Sequence, residues 1–87
     1  MAMWRGKKVD QETGKGKTSR HDDIRRGLLT KPVKLCARAS GWPDYEIKAI
    51  VAARIVGASD AEIRKLVRQL EAARKTVDQQ PPQIEGA

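Results

Sequence analysis

Two segments in the C-terminal half of the chain carry apolar residues at helical spacing. In the first, Pro43 occupies a favoured first helical position, and Asp44 and Glu46 follow in the first turn, where acidic side chains stabilise a helix. Gly57 is predicted to end the helix. The sequence therefore predicts a helix over residues 43–56. Its buried face comprises Ile47, Ile50, Val51 and Ile55.

A second helix is predicted over residues 60–77. Ser59 and Glu62 have the spacing of a capping box, in which each side chain binds a backbone N–H of the other residue. The apolar stripe that follows comprises Ile63, Leu66, Val67, Leu70, Ala73 and Val77. A polar flank with Arg64, Arg68 and Glu71 is free, in this prediction, to meet a neighbouring molecule.

Residues 29–42 change from helical spacing to alternation. Pro32 prevents a helix from continuing. Beyond it, Val33, Leu35 and Ala37 alternate with Lys34, Cys36 and Arg38, which is the period of a strand. The pattern predicts a small β-hairpin whose apolar side chains face inward and whose charged side chains face outward. Trp42 is predicted to be a buried anchor between this hairpin and the helix that follows.

The N-terminal segment has a weaker pattern. Trp4 and Val9 are its only candidates for packing. A short helix is predicted at 5–13, although Gly6 weakens it, and Gly14 is predicted to end it.

A second short helix is predicted after a turn at residues 15–17. Thr18 or Ser19 would cap this helix, and Asp22 and Asp23 would lie in its first turn. The prediction thus places several polar side chains at the beginning of one helix.

The buried face of this helix depends on two residues. Ile24 and Leu28 are four positions apart and would point to the same side. Gly27 would end the helix. With so few apolar positions, the pattern alone gives little support for packing here.

Composition limits the class of protein. The 87 residues predict one small domain over residues 1–78 and a disordered tail over 79–87. No apolar run approaches the roughly 18–20 residues of a membrane span, and no membrane partner is expected. Cys36 and His21 are too few ligands for structural zinc and have no catalytic partner at a suitable spacing. We expect a cytoplasmic protein with no metal, no cofactor and no enzymatic activity.

The charge is concentrated at one end of the chain. Residues 1–38 hold 11 basic and 4 acidic side chains and carry the whole net charge of +7, whereas residues 39–87 are neutral. A basic half of this kind favours a polyanionic partner, and nucleic acid is the usual one. The candidate DNA-binding residues are Lys17, Thr18, Ser19, Arg20, His21, Arg25, Arg26, Lys31, Lys34 and Arg38. Their side chains donate hydrogen bonds to base edges and phosphates.

The central stretch resembles a known family. Residues 27–55, GLLTKPVKLCARASGWPDYEIKAIVAARI, are similar to the signature of the AlpA-like regulators and excisionases of phages and mobile elements. The matching positions are Pro32, Val33, Leu35, Arg38, Gly41, Trp42, Glu46, Ile47, Arg54 and Ile55. Upstream the likeness is poorer. Lys15 and Gly16 stand where the family has leucine and serine, His21 where it usually has an aromatic residue, and Asp10 where an apolar residue is common. The first two helices are therefore expected to pack loosely until DNA binds.

The resemblance implies a fold and a role. The fold is a mainly α winged helix-turn-helix with a small β-hairpin, of the MerR and excisionase type. The second helix would lie in a major groove of double-stranded DNA and the hairpin along the neighbouring backbone or minor groove. The role would be that of an excisionase, or recombination directionality factor, which bends DNA near an attachment site and helps a site-specific integrase excise a mobile element.

Two other functions stay open at this point. An AlpA-like transcriptional regulator would use the same fold and the same DNA chemistry. A protein–protein adaptor would instead use the amphipathic helix at 60–77. For either DNA-binding role, one short recognition helix reads few base pairs, so we expect head-to-tail self-association of copies on DNA.

Overall fold

The computed structural model describes residues 2–79, with side chains through Lys75. The architecture is mostly helical, with a small antiparallel sheet of strand order β1-β3-β2. In chain order the elements are β1 (Met3–Trp4), α1 (Gly6–Thr13), α2 (Lys17–Arg25), β2 (Val33–Cys36), β3 (Ala39–Pro43), α3 (Asp44–Ile55) and α4 (Asp60–Gln79). The predicted tail at 79–87 lies outside the described residues, apart from Gln79 at the end of α4.

Half of the buried hydrophobic core belongs to α3 and α4, and α1, β3 and the segment after α2 provide the rest. Ile47 and Ile50 of α3 pack with Ile63 and Val67 of α4, and all four side chains are buried, as the helical spacing predicts. The prediction for Ile55 is wrong, since its side chain is 78% exposed. Ile55 lies on a shallow groove beside Trp4 and Val51 that the described part of the chain leaves open.

Both ends of the loop between α3 and α4 follow local sequence signals. Gly57 has a φ of 85°, a left-handed conformation that glycine adopts without strain. The capping box is confirmed: the Ser59 backbone N–H donates to Glu62 Oε1 at 2.8 Å, and the Glu62 N–H donates to Ser59 Oγ at 3.2 Å. At the start of α3, Pro43 is the residue before the helix and not its first residue, so that prediction is off by one position.

Glu46 is more than a favourable charge in the first turn of α3. Its carboxylate is fully buried and receives two hydrogen bonds from Arg74 of α4, from Nε at 2.7 Å and from Nη2 at 2.6 Å. This hydrogen bonding raises the pKa of Arg74 above its ordinary value. The fork geometry keeps a buried charge paired, and it fixes α4 to the first turn of α3.

The predicted hairpin is present, but its inward face is irregular. β2 and β3 pair with Val33 opposite Gly41, and the register shifts between Lys34 and Cys36. A bulge of this kind breaks the alternation of side chains. Leu35, predicted to face inward, is therefore 42% exposed, and Ala37 is exposed as well.

Trp42 holds the sheet to the rest of the molecule. Its side chain is buried as predicted, and its indole Nε1 donates a hydrogen bond to the Thr30 carbonyl at 2.7 Å. Trp42 lies opposite Trp4 of β1, a two-residue strand that the sequence did not predict. Thr30, which precedes β2, and Trp4 of β1 thus both lie beside Trp42.

The first two helices form close to the predicted positions. α1 ends at Gly14, whose φ of 76° confirms the predicted helix end, and Val9 is fully buried. α2 begins earlier than predicted, because Gly16 caps it and accepts the first backbone hydrogen bond from Arg20 at 2.9 Å. Asp22 therefore lies in the second half of α2 and not in its first turn.

Candidate nucleic-acid interface

The inner face of α2 carries charged side chains. The Arg20 guanidinium lies 2.7 Å from Asp10 of α1 and 5.5 Å from the centre of the Trp42 ring, and its side chain is only 11% exposed. It covers Gly6 so closely that a methyl group there would come within 2.6 Å of Arg20 Nη1. The structure therefore places Arg20 inside the fold, apart from the other candidate DNA-binding residues.

Asp10 has a charged partner between the first two helices. Its carboxylate lies on α1, and Arg20 provides the complementary charge on α2. The ion pair joins the two helices. It is enclosed, with a Trp ring and a glycine backbone around it. The loose packing expected before DNA binds stays a prediction.

Asp23 forms a second internal charge cluster. Its buried carboxylate accepts a hydrogen bond from Lys15 Nζ at 2.8 Å and lies 3.9 Å from Arg54 Nη2 of α3. Asp23 was predicted to stabilise the first turn of α2, and this is wrong. Through these contacts Asp23 connects α2 to the α1–α2 turn and to the end of α3.

The outer face of α2 is exposed and polar. It borders an open depression of about 630 Å³. The lining residues are Lys17, Thr18, Ser19, His21, Asp22 and Arg25. Five of the ten predicted DNA-binding residues thus meet around one surface, which offers ammonium, hydroxyl, imidazole and guanidinium groups together.

Asp22 is the acidic group within this depression, and sequence reasoning did not predict its role. Its carboxylate accepts a hydrogen bond from Arg25 Nη2 at 2.7 Å and lies 3.6 Å from Arg26 Nη1. The hydrogen bond from Arg25 lowers the pKa of Asp22 below its ordinary value. The spacing of three and four residues along a helix is the signal that could have predicted these pairs.

The other predicted residues do not line this depression. Lys34 lies in β2, and Arg38 lies at the turn of the hairpin, both with exposed side chains. Lys31 lies just before the hairpin, with its backbone bonded to α4. The polar surfaces of α2 and of the hairpin are thus two separate groups of candidate contacts.

The flank of α4 that was predicted to be free is largely occupied. Arg64 Nε donates to the Arg26 carbonyl at 2.9 Å, and Glu71 Oε2 accepts from the Lys31 N–H at 2.8 Å. Of the three flank residues, Arg68 remains exposed without such a bond. Arg64 and Glu71 were predicted to meet a neighbouring molecule. They instead form intramolecular hydrogen bonds to the segment between α2 and β2.

Within residues 2–79, no group of three or more His, Cys, Asp and Glu side chains is placed to hold a metal ion. The helices described there are all too short or too polar to cross a membrane. Comparison with known proteins adds no relative, because no family model, curated protein or solved structure gives a significant match to the chain.

Proposed function

We propose that the chain is a sequence-specific double-stranded DNA-binding protein with a winged helix-turn-helix. In this proposal α1 and α2 are the helix-turn-helix, α2 enters the major groove, and the β2–β3 hairpin is the wing. Three residues, Gly14, Lys15 and Gly16, separate the two helices, which is a usual length for such a turn. The order of helix, turn, helix, hairpin and helix agrees with this arrangement.

The polar outer face of α2 is the observation that carries the proposal. An α-helix with its side chains is about 10–12 Å across, so α2 fits into a major groove about 12 Å wide, along which its nine residues span roughly 13 Å. This face belongs to the half of the chain that holds the net charge of +7. Positive charge near the face supplies attraction to phosphates, and Arg25 and His21 supply donors for base edges.

Among DNA-binding roles, we favour that of an excisionase that bends DNA and assists a site-specific integrase. The resemblance of residues 27–55 supports this role, and it supports a transcriptional regulator of mobile-element genes as the alternative. Either protein would act on the nucleoid. The adaptor hypothesis has less support, because Ile63 and Val67 of the apolar stripe are buried in the core and Leu66 and Leu70 pack against it.

The first experiment separates base reading from positioning. Selection from a random duplex library identifies a preferred site, and affinities are then measured for that site and for random DNA. We expect Arg25→Ala to reduce the discrimination between them by about 1–3 kcal/mol. Lys34→Ala, a matched loss of one positive charge on the hairpin, is expected to weaken binding to both DNAs alike. Failure to select any site, or equal losses for the two variants, would contradict base reading by α2.

A second experiment addresses assembly. We expect head-to-tail copies to bind cooperatively, so affinity per site should rise on DNAs that carry one, two and three sites. Native mass measurement of the complexes gives the number of copies bound. Equal affinity per site on all three DNAs would favour the simple regulator over the excisionase.

A further inference from the structure

Residues 26–32, here called the connector, join α2 to the hairpin without helix or strand structure of their own. Their backbone is nevertheless bonded from outside. Arg64 of α4 donates to the Arg26 carbonyl at 2.9 Å. Further along, Glu71 accepts from the Lys31 N–H at 2.8 Å, and Arg74 Nη2 donates to the Lys31 carbonyl at 2.7 Å.

These bonds come from one side of one helix. Arg64, Glu71 and Arg74 are spaced by seven and three residues, so they lie along one side of α4. Arg74 is itself fixed, because the same guanidinium is paired with the fully buried Glu46 of α3. The bond from Arg74 to the Lys31 carbonyl therefore starts from a side chain that has little freedom to move.

The connector lies between the two groups of candidate DNA contacts. α2 ends at Arg25 and β2 begins at Val33. The conformation of the connector therefore determines where α2 lies relative to the hairpin. The Trp42 indole fixes the Thr30 carbonyl from the side of the sheet at 2.7 Å. α4 and Trp42 thus hold the connector from two directions.

We propose that α4 is a positioning element for DNA binding: Arg64, Glu71 and Arg74 hold the connector and thereby set the placement of α2 relative to the hairpin, without touching DNA. This inference depends on the proposed function, and it goes further by giving α4 a part in affinity. A rigid placement matters because a protein that must order two surfaces on binding loses affinity to the entropy of ordering.

Glu71 gives a test in which electrostatics and positioning predict different results. Removing a negative charge should strengthen DNA binding if charge alone matters. Glu71→Ala removes both the charge and the acceptor, whereas Glu71→Gln removes the charge and keeps an oxygen acceptor for the Lys31 N–H. We expect Glu71→Ala to bind duplex DNA roughly threefold to tenfold more weakly than Glu71→Gln. Arg64→Ala should likewise bind more weakly than Arg68→Ala, which has the same change in charge.

Two measurements without DNA report the positioning directly. Amide exchange at Lys31 should be faster in Glu71→Ala than in Glu71→Gln. Cys36 is the single cysteine and lies exposed on β2, so Ser19→Cys provides a second spin-label site on α2. The distribution of label-to-label distances should be broader in Glu71→Ala than in Glu71→Gln, with unchanged helical content by circular dichroism.

The outcomes separate this inference from the proposed function. Weaker DNA binding by Glu71→Ala together with a broader distance distribution supports the positioning role. Equal DNA affinity of the two Glu71 variants overturns it, whether or not the distribution broadens. If the wild-type chain does not bind duplex DNA, the proposed function fails and the DNA-binding role of α4 fails with it. The exchange and distance data then still show whether α4 holds the connector.

Discussion

The two helical pairs of this molecule differ in the apolar contact that joins them. α3 and α4 share an apolar contact of isoleucine and valine side chains, and the buried Glu46–Arg74 pair adds to it. Between α1 and α2, an enclosed ion pair joins Asp10 and Arg20, 2.7 Å apart. Removing one partner of such a pair is costly, because the other charge is left without compensation. In the half of the molecule proposed to meet DNA, a charged contact thus takes the place that apolar side chains have between α3 and α4.

The largest effect is expected where the two halves meet. Trp42 contacts Arg20 on one side and the Thr30 carbonyl on the other. We expect Trp42→Ala to lower the free energy of unfolding by about 3–5 kcal/mol, enough to unfold a small domain. Thermal unfolding followed by circular dichroism measures this. A variant that melts normally but loses DNA binding would place Trp42 at the ligand.

The ion pair of the first two helices is expected to give the next largest effect. Asp10→Ala leaves Arg20 enclosed without a partner and should lower the free energy of unfolding by about 2–3 kcal/mol. This loss is somewhat smaller than for a fully buried pair, because both side chains keep some exposure. In contrast, Asp10→Leu combined with Arg20→Met should fold with nearly unchanged stability, because apolar contacts replace the charges.

The control for this experiment lies on the same helix. Glu12 is paired with Lys8 at 3.0 Å in an exposed position, so Glu12→Ala should lower the free energy of unfolding by less than about 1 kcal/mol. Denaturant unfolding of the variants gives the comparison. A double variant as unstable as Asp10→Ala would contradict the account of the interface.

The difference between the two halves also explains what the sequence could predict. α3 and α4 are evident from the apolar spacing, because their buried positions, apart from Glu46, are occupied by Ile and Val. The inward face of α2 could not be predicted in this way, since Arg20 and Asp23 read as surface residues in any hydropathy pattern. The available signal was an acid, Asp10, on one predicted helix together with a basic residue on the next.

The sequence also predicted part of the candidate site. The sequence named Thr18, His21 and Arg25 as candidates, and the structure brings them to one depression on the outer face of α2. Helical spacing could not predict that Arg64 and Glu71 bind the connector, because those hydrogen bonds join residues about 40 positions apart. The exposure of Leu35 depends on a bulge, which the alternation of residues does not encode.

Gly6 gives a smaller effect that sharpens the account of Arg20. On helix propensity alone, Gly6→Ala would be favourable by up to about 1 kcal/mol. Because the new methyl group would lie 2.6 Å from the guanidinium, we expect a net loss of about 1–2 kcal/mol. In an Arg20→Ala background the same change should be neutral or stabilising. Equal effects in both backgrounds would show that Arg20 does not occupy this space.

The smallest effect concerns the capping box in the apolar half. Hydrogen bonds from the Ser59 backbone N–H and hydroxyl lower the pKa of Glu62 below its ordinary value of 4.5. Its contribution to stability is therefore complete above pH 4.5 and is lost as the pH falls through the lowered value in the folded state. The melting temperatures of wild-type and Glu62→Ala protein, measured over a series of pH values, should differ at neutral pH and converge in acid. A difference that does not change with pH would contradict the charged cap.

The salt dependence of DNA binding tests the central claim most directly. After the exclusion of Arg20 and of Arg25, which is assigned to base edges, five basic side chains remain as candidates for phosphate contact: Lys17, Arg26, Lys31, Lys34 and Arg38. If all five make such contacts, the logarithm of the binding constant should fall against the logarithm of salt concentration with a slope of about −4.5 on duplex DNA. Fluorescence titration over a series of salt concentrations measures this slope. A slope shallower than about −2 would contradict duplex DNA binding by the basic half of the chain.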